Sequence, residues 1–461
     1  MNKVIILFIL LIPGMTKAQD ITGEWNGKLS AQGMELRLIF HISRGDSTYD
    51  AKMDSPDQKV FGIMADVTTF ENSILRVEIA RLGIRFQGKY KTNSIEGIFY
   101  QSGQSFPLNL TRNLIEKKAL VRPQEPKMPY PYLIEEVTFP SEGGKIELAG
   151  TLTLPNGKNI FPTAILISGS GPQNRDEEFM THKPFLVIAD HLTRNGIAVL
   201  RYDDRGFAQS TGDHGSATSA DFANDVRAAI AYLKTRKEID KTRIGLVGHS
   251  EGGLIAPIVA TDTNVAFIVL LAGPGVSGSQ ILLKQTELIT RSQGVDEENV
   301  QRQLSITRGA FELFSQYGAD QSFENRLKEY LLDLISNKNL IIPEGISNEE
   351  FIAMQVSQFQ KPWMRYFLNY DPSNSLQRIQ CPVLALNGEK DVQVAPENLV
   401  VIEKCVRYGG NDNVTVKEFQ NMNHLFQTCK TGAIDEYATI EQTISPSVLE
   451  EVSGWVLKQT K

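Results

Sequence analysis

The segment Arg243-Ile244-Gly245-Leu246-Val247-Gly248-His249-Ser250-Glu251-Gly252-Gly253-Leu254-Ile255 holds a serine between two glycines at the spacing G-x-S-x-G. An apolar, strand-like run enters it, and small and apolar residues leave it in a helical pattern. That strand–turn–helix setting gives weight to a spacing that is weak alone. In so tight a turn Gly248 and Gly252 are needed, because side chains there would clash around the serine. The Ser250 hydroxyl is then expected at the C-terminal edge of a sheet beside a helix N-terminus, where developing negative charge is favoured.

The same alternation extends in both directions. Residues 163–167, 197–202 and 265–271 read as apolar strands, and 221–237 as a helix with Phe222, Val226, Ile230 and Leu233 on one face. Residues 137–139 and 146–154 suggest a leading antiparallel pair, and 382–386 and 414–419 two further strands before a last helix at 447–458. Near-continuous apolar strands alternating with helices predict an α/β fold for residues 133–461, a doubly wound, mostly parallel sheet covered on both faces. Between the strands, residues 276–371 carry helical patterns only, at 281–292, 300–317, 323–335 and 349–367. An all-helical insertion at that place predicts a cap.

Upstream, residues 19–113 read as a small all-β domain, a sandwich or barrel, with short β-rich runs such as 36–42 and 74–80 between turn-forming clusters. Residues 114–132 carry Pro123, Pro126, Pro129 and Pro131 and read as an extended linker. At the N-terminus, Lys3, an apolar run over 4–13, and Thr16 and Ala18 at the −3 and −1 positions predict a signal peptide at 1–18. That run is shorter than the roughly twenty apolar residues of a spanning helix. An exported protein, periplasmic or secreted and without stable membrane insertion, is expected.

Net charge is −7 with no long basic run, so no electrostatic feature points to nucleic acid. The 41% hydrophobic content is that of a globular chain. Cys381, Cys405 and Cys429 are odd in number and form no CxxC motif; a Cys405–Cys429 bridge is one reading and buried thiols the favoured one. The sequence does not specify an oligomeric state.

A serine hydroxyl is a poor nucleophile until an oriented base takes its proton. Of the six histidines, only His424 follows Ser250 in a separate element, since His249 adjoins the serine and should point elsewhere. His424 falls in the loop after the 414–419 strand. For the acid, Asp391 lies in the loop after an apolar strand, with room for one helix and one strand before His424. Glu389 is the nearest competitor, and Asp371 and Asp412 fit the topology less well. Two backbone N–H groups would hold an oxyanion. One is expected from Glu251, the other from the loop Ser168-Gly169-Ser170-Gly171-Pro172, with Ser170 first and Gly171 next. Arg205, in Asp203-Asp204-Arg205-Gly206, is expected to brace these loops through an ion pair. The Glu251 carboxylate either disfavours anionic substrates or simply faces solvent at a helix start.

These motifs together resemble the α/β-hydrolase superfamily over about 133–460. More narrowly they resemble exported bacterial esterases with a Ser-Gly-Ser-Gly-Pro oxyanion loop, a Gly-His-Ser-Glu-Gly-Gly elbow and Asn-His-Leu-Phe-Gln around the base, proteins loosely grouped with serine aminopeptidases. The resemblance implies Ser250, Asp391 and His424 as a triad. Here Ser168-Gly169 stands where His-Gly is usual, which removes one side-chain hydrogen bond and leaves the backbone donors. The expectation is hydrolysis of small carboxylic esters, short-chain by analogy, with no metal or organic cofactor. The alternatives are a peptidase whose amine subsite uses Glu251, Glu287, Glu297 or Glu298, and a carbohydrate- or envelope-binding protein with an idle hydrolase domain.

Overall fold

The computed structural model describes residues 20–461 except 32–33, 46–47, 59, 102–103, 116–120, 158, 341 and 343–346. The expected signal peptide lies outside the described residues. Two compact units form, one holding the strands up to Thr111 and the other the elements from Tyr132 onward.

In the first unit the strands are β1 (Gly23–Ala31), β2 (Met34–Arg44), β3 (Tyr49–Ser55), β4 (Val60–Met64), β5 (Val67–Glu71), β6 (Ile74–Ile79), β7 (Ile84–Lys91), β8 (Ser94–Gln101) and β9 (Gln104–Thr111). They make one sheet in the order β4-β3-β2-β1-β9-β8-β7-β6-β5, not the two packed sheets of a sandwich. Its edge strands, β4 and β5, are consecutive in the chain. Ala65 N donates to Ala51 O of β3 and Asp66 N to Glu78 O of β6, so the sheet returns on itself. Alternation places Leu38, Phe40 and Ile42 of β2 and Leu75, Val77 and Ile79 of β6 in one core with Trp25 and Phe86.

The second unit is built on eight strands: β10 (Tyr132–Ser141), β11 (Ile146–Pro155), β12 (Phe161–Ile167), β13 (Ala198–Tyr202), β14 (Ile239–His249), β15 (Ile268–Leu271), β16 (Val383–Gly388) and β17 (Val414–Phe419). Their order is β10-β11-β13-β12-β14-β15-β16-β17, antiparallel at β10–β11 and β11–β13 and parallel from β13 to β17. The helices are α1 (Pro184–Arg194), α2 (Ser219–Thr235), α3 (Gly252–Ala260), α4 (Gly278–Ser292), α5 (Glu297–Tyr317), α6 (Phe323–Ser336), α7 (Asn348–Gln360), α8 (Pro362–Asn369), α9 (Ser373–Leu376), α10 (Asn398–Tyr408) and α11 (Pro446–Gln459).

Alternate residues of the parallel strands feed two cores. Ile165, Ile167, Leu246 and Leu270 pack with Val226 and Ile230 of α2, Ile255 and Val259 of α3, and Ile402 of α10. Ala164, Leu166, Val247 and Val269 pack with Phe185 and Leu192 of α1 and Val452 and Trp455 of α11. This two-sided burial is why the strands lack polar alternation.

Helices α4 to α8 form the insertion between β15 and β16, around their own core of Phe314, Phe323, Leu327, Leu331 and Val356. The single helix expected over 349–367 is two, because Pro362 has no N–H to continue a helix and opens α8 instead. Over its described part the proline-rich stretch turns at 122–125, where Glu125 N donates to Arg122 O at 3.1 Å, and is fastened by Arg122 donating to Met180 O at 3.0 Å and Gln124 to Ile444 O at 2.7 Å. No helix among the described residues is long and apolar enough to cross a membrane. The three cysteines are free thiols, so the Cys405–Cys429 bridge does not form.

Candidate active site

Ser250 sits between β14 and α3 with φ of 52°, the left-handed region that a non-glycine residue rarely adopts. Such a conformation costs on the order of 1–3 kcal/mol and persists only where its surroundings enforce it. Here Ser250 N donates to Leu271 O at the end of β15, and Gly253 N donates to Ser250 O, both at 2.8 Å. A Cβ on Gly248 would overlap Gly252 O, and one on Gly252 would overlap Ile167 O. Both glycines are therefore required by the backbone approach.

His424 and Asp391 meet at the C-terminal ends of the neighbouring strands. His424 Nδ1 lies 2.7 Å from Asp391 Oδ2, with both side chains buried. Asp391 Oδ1 accepts from Gln393 N and Val394 N at 2.8 and 2.9 Å, which fixes the carboxylate. The His424 turn is closed by Asn423, whose Oδ1 accepts from Leu425 N and Gln427 N and whose amide donates to Gln427 Oε1. Glu389, the competing acid, accepts from Asn421 N at 2.8 Å and so shapes the histidine loop from outside it.

The loop after β12 packs on the elbow: a Cβ on Gly169 would stand 3.1 Å from Ser250 Cβ. Ser170 and Glu251 line a cavity with Ser250, and Gly171 follows with φ of 88°. The bracing of this loop corrects the reading of Asp203-Asp204-Arg205. The two aspartates hold the loop: Asp203 pairs with Arg175 at 2.7 Å, and Asp204 accepts from Ser168 Oγ and Gln173 N at 2.7 and 2.8 Å. Arg205 points to the other side, onto Asp225 of α2 at 2.7 Å and Glu142 at 2.5 Å. Burial pushes the Asp204 carboxyl up to about 8, against the bonds from Ser168 and Gln173.

Glu251 does not face solvent. Its Oε1 accepts from Ser219 Oγ at 2.5 Å and from Trp363 Nε1 of α8 at 2.8 Å, and burial raises its pKa. Glu287 and Glu297 are paired with Arg291, and neither they nor Glu298 line the cavity beside Ser250. That cavity, about 60 Å³, is bounded by Pro274, Ile281, Leu282, Gln285, Trp363, Phe367, Gln393 and Val394 along with Ser170, Ser250 and Glu251. Trp363 and Phe367 stack at 5.0 Å. A larger open groove of about 580 Å³, lined by Gln360, Arg365, Tyr366 and Tyr370, contains none of the elbow residues. Among the described residues no group of three or more His, Cys, Asp or Glu could hold a metal ion.

Residues 183–301 match the family described as serine aminopeptidase, S33. The esterase EstD of Thermotoga maritima is 25% identical over 314 residues, 68% of this chain; the match spans 66% of EstD, just under two thirds of its length. An uncharacterised 31.7 kDa protein of Escherichia coli is 24% identical over 57% of this chain and 84% of its own. The Pyrococcus furiosus esterase Pf2001 overlays with a TM-score of 0.43 at 16% identity, covering 74% of this chain and 97% of its own. With a serine elbow at the edge of a mostly parallel eight-stranded sheet, the chain resembles α/β-hydrolases, being similar to the serine aminopeptidase family over residues 183–301 and to the esterase EstD.

Proposed function

We propose that the protein hydrolyses carboxylic esters with short, uncharged acyl groups through a covalent acyl-enzyme. Ser250 Oγ attacks the ester carbonyl while His424 takes its proton, and Asp391 keeps the imidazole proton on Nδ1 so that Nε2 is free to accept. The backbone N–H groups of Glu251 and Ser170, with Gly171 as the alternative to Ser170, receive the oxyanion. His424 then returns the proton to the leaving alcohol and activates the water that frees the acyl group. The observation that carries this reading is the 2.7 Å contact of His424 with a buried, doubly anchored Asp391, on the sheet edge that also bears the left-handed Ser250. Esterase names among the relatives support the ester class.

Helices α4 to α8 act in this reading as a cap, because Ile281, Leu282, Trp363 and Phe367 wall the serine cavity. Its small volume, about 60 Å³, favours a short acyl group. Export, read from residues 1–18, belongs to the same proposal.

A serine aminopeptidase is the second reading, favoured by the matching family and by Glu251 at the cavity wall. A carboxyl with a raised pKa that already accepts two hydrogen bonds is a weak counter-ion for an ammonium, which ranks this reading second. Hydrolysis of p-nitrophenyl acetate, butyrate and octanoate beside aminoacyl p-nitroanilides separates the two. Ester turnover falling with chain length supports the esterase; anilide turnover exceeding ester turnover overturns it.

A further inference from the structure

A second buried acid–histidine contact lies beside the candidate triad, and the mechanism makes no use of it. Glu177, in the loop between β12 and α1, is held at φ of 50° and is 4% exposed. Its Oε1 accepts from Gly169 N at 2.7 Å and faces His249 Nδ1 at 2.9 Å. His249 Nε2 faces the carbonyl oxygen of His424 at 3.1 Å. Both ring nitrogens of His249 thus meet oxygen acceptors. A neutral imidazole has one N–H and satisfies one of them, whereas the imidazolium satisfies both. If Glu177 kept the proton instead, either Oε1 would carry it while accepting from Gly169 N, or Oε2, which is buried without a partner, would carry it and leave the His424 carbonyl without a donor from His249.

We propose that Glu177 and His249 form a buried ion pair that positions the oxyanion loop and the base together around Ser250. The proposal rests on reading Ser250 as the nucleophile. The pair reaches three parts of the site, two by hydrogen bonds and one through the chain. Gly169 precedes Ser170 in the loop expected to hold the oxyanion, His249 precedes Ser250, and the His424 carbonyl belongs to the base itself. Glu177 and His249 are positioning residues, since they reach the reacting atoms only through these neighbours.

The charged and titratable groups around His249 come from each packed element: Glu177 from its loop, Asp391 and the His424 ring (4.8 Å between centroids) from the loops after β16 and β17, and Asp204, close enough to interact with Glu177, from the end of β13. Burial pulls the His249 pKa down, but the Glu177 and Asp391 carboxylates prevail and hold it above its ordinary value. The contribution of the protonated His249 ring is therefore present below its raised value and is lost as pH rises through it. Losing the Nδ1 proton leaves the Glu177 carboxylate bonded to Gly169 alone and loosens the oxyanion loop.

The test is nitrogen-resolved NMR of histidine-labelled full-length protein, with the His249 signals identified by their loss in His249→Gln. The expected result is a doubly protonated His249 ring at pH 7, titrating above the free-histidine value of about 6.5, and a fall of about one pH unit or more in Glu177→Gln. In the same variant the alkaline limb of kcat for p-nitrophenyl acetate should move down with it, while KM stays within about twofold. Asp204 titrates in the same window, so Asp204→Asn serves as a control that should leave the His249 signals in place. A singly protonated His249 ring in the wild type at pH 7 overturns the proposal, and this arm needs neither a folded variant nor any turnover. An alkaline limb unmoved in both Glu177→Gln and His249→Gln overturns it as well. Should the wild type cleave no ester, the esterase reading fails while the NMR arm still decides the ion pair.

Discussion

Asp391→Asn exchanges an oxygen for an amide nitrogen, yet it should remove nearly all turnover. The structure dictates how the new side chain must sit. Asp391 Oδ1 accepts from Gln393 N and Val394 N at 2.8 and 2.9 Å, so the asparagine carbonyl takes that place and its NH2 falls where Oδ2 faced His424 Nδ1 at 2.7 Å. A donor now confronts Nδ1. The imidazole must accept there and carry its proton on Nε2, the nitrogen that has to take the proton from Ser250. This tautomer error costs about 10⁴ in kcat in serine proteases, which is about 5.4 kcal/mol of barrier. The assay is kcat for p-nitrophenyl butyrate near pH 7.5, with thermal unfolding to verify that both backbone anchors are kept. Glu389→Gln is the comparison. Glu389 touches the base only through Asn421 N, so its loss should cost no more than about tenfold. The reasoning is refuted if Asp391→Asn keeps more than about a tenth of the activity, or if Glu389→Gln falls as far.

Three further outcomes are expected. Arg205→Ala strands Asp225, which is 1% exposed, and should lower stability by about 3–5 kcal/mol in urea denaturation; Arg205→Met with Asp225→Leu should recover part of it. Phe367→Ala opens the wall of the small cavity and should raise the octanoate-to-acetate ratio of kcat/KM by about tenfold. His182 is buried between Tyr437 O and Thr443 Oγ1 at 2.9 and 3.1 Å, and burial lowers its pKa to about 4. The folded state thus refuses a proton that the unfolded chain binds. Stability is full above about pH 6.5 and is lost as pH falls toward 4, by up to about 3 kcal/mol, and His182→Gln should flatten urea midpoints across that window.

The legible parts of this chain were those written as local patterns. The strand before Gly248 and the small-residue helix after Gly252 announce the elbow, and the overlaps that a Cβ would create at both glycines are the steric reason the pattern exists. The two-sided burial of β12 explains why 163–167 read so plainly as a parallel strand. Many acids lie between the elbow and His424, and Asp391 stands out among them because it follows the apolar strand at 382–386 with room for one helix and one strand before His424. What stayed hidden were pairings between distant segments. Glu177 lies 72 positions from His249, and Trp363 lies 112 from Glu251; nothing periodic links either pair. Glu251 reads as a surface residue at a helix start because the helix that buries it arrives far later in the chain. Arg205 makes its ion pair with Asp225 and Glu142 and leaves the bracing of the loop after β12 to Asp203 and Asp204, because adjacent residues of an irregular loop point in unrelated directions. The signal within reach was Asn423 and Gln427: two amides flanking a histidine in a tight loop suggest a self-bonded turn.

The most direct test of the central claim is a pre-steady-state burst with p-nitrophenyl acetate followed by intact-mass and peptide analysis. The account predicts a burst approaching one equivalent of p-nitrophenol and an acetyl group on the peptide containing Ser250, with both absent in Ser250→Ala. Acetyl on another residue, or full ester turnover in Ser250→Ala, would contradict it.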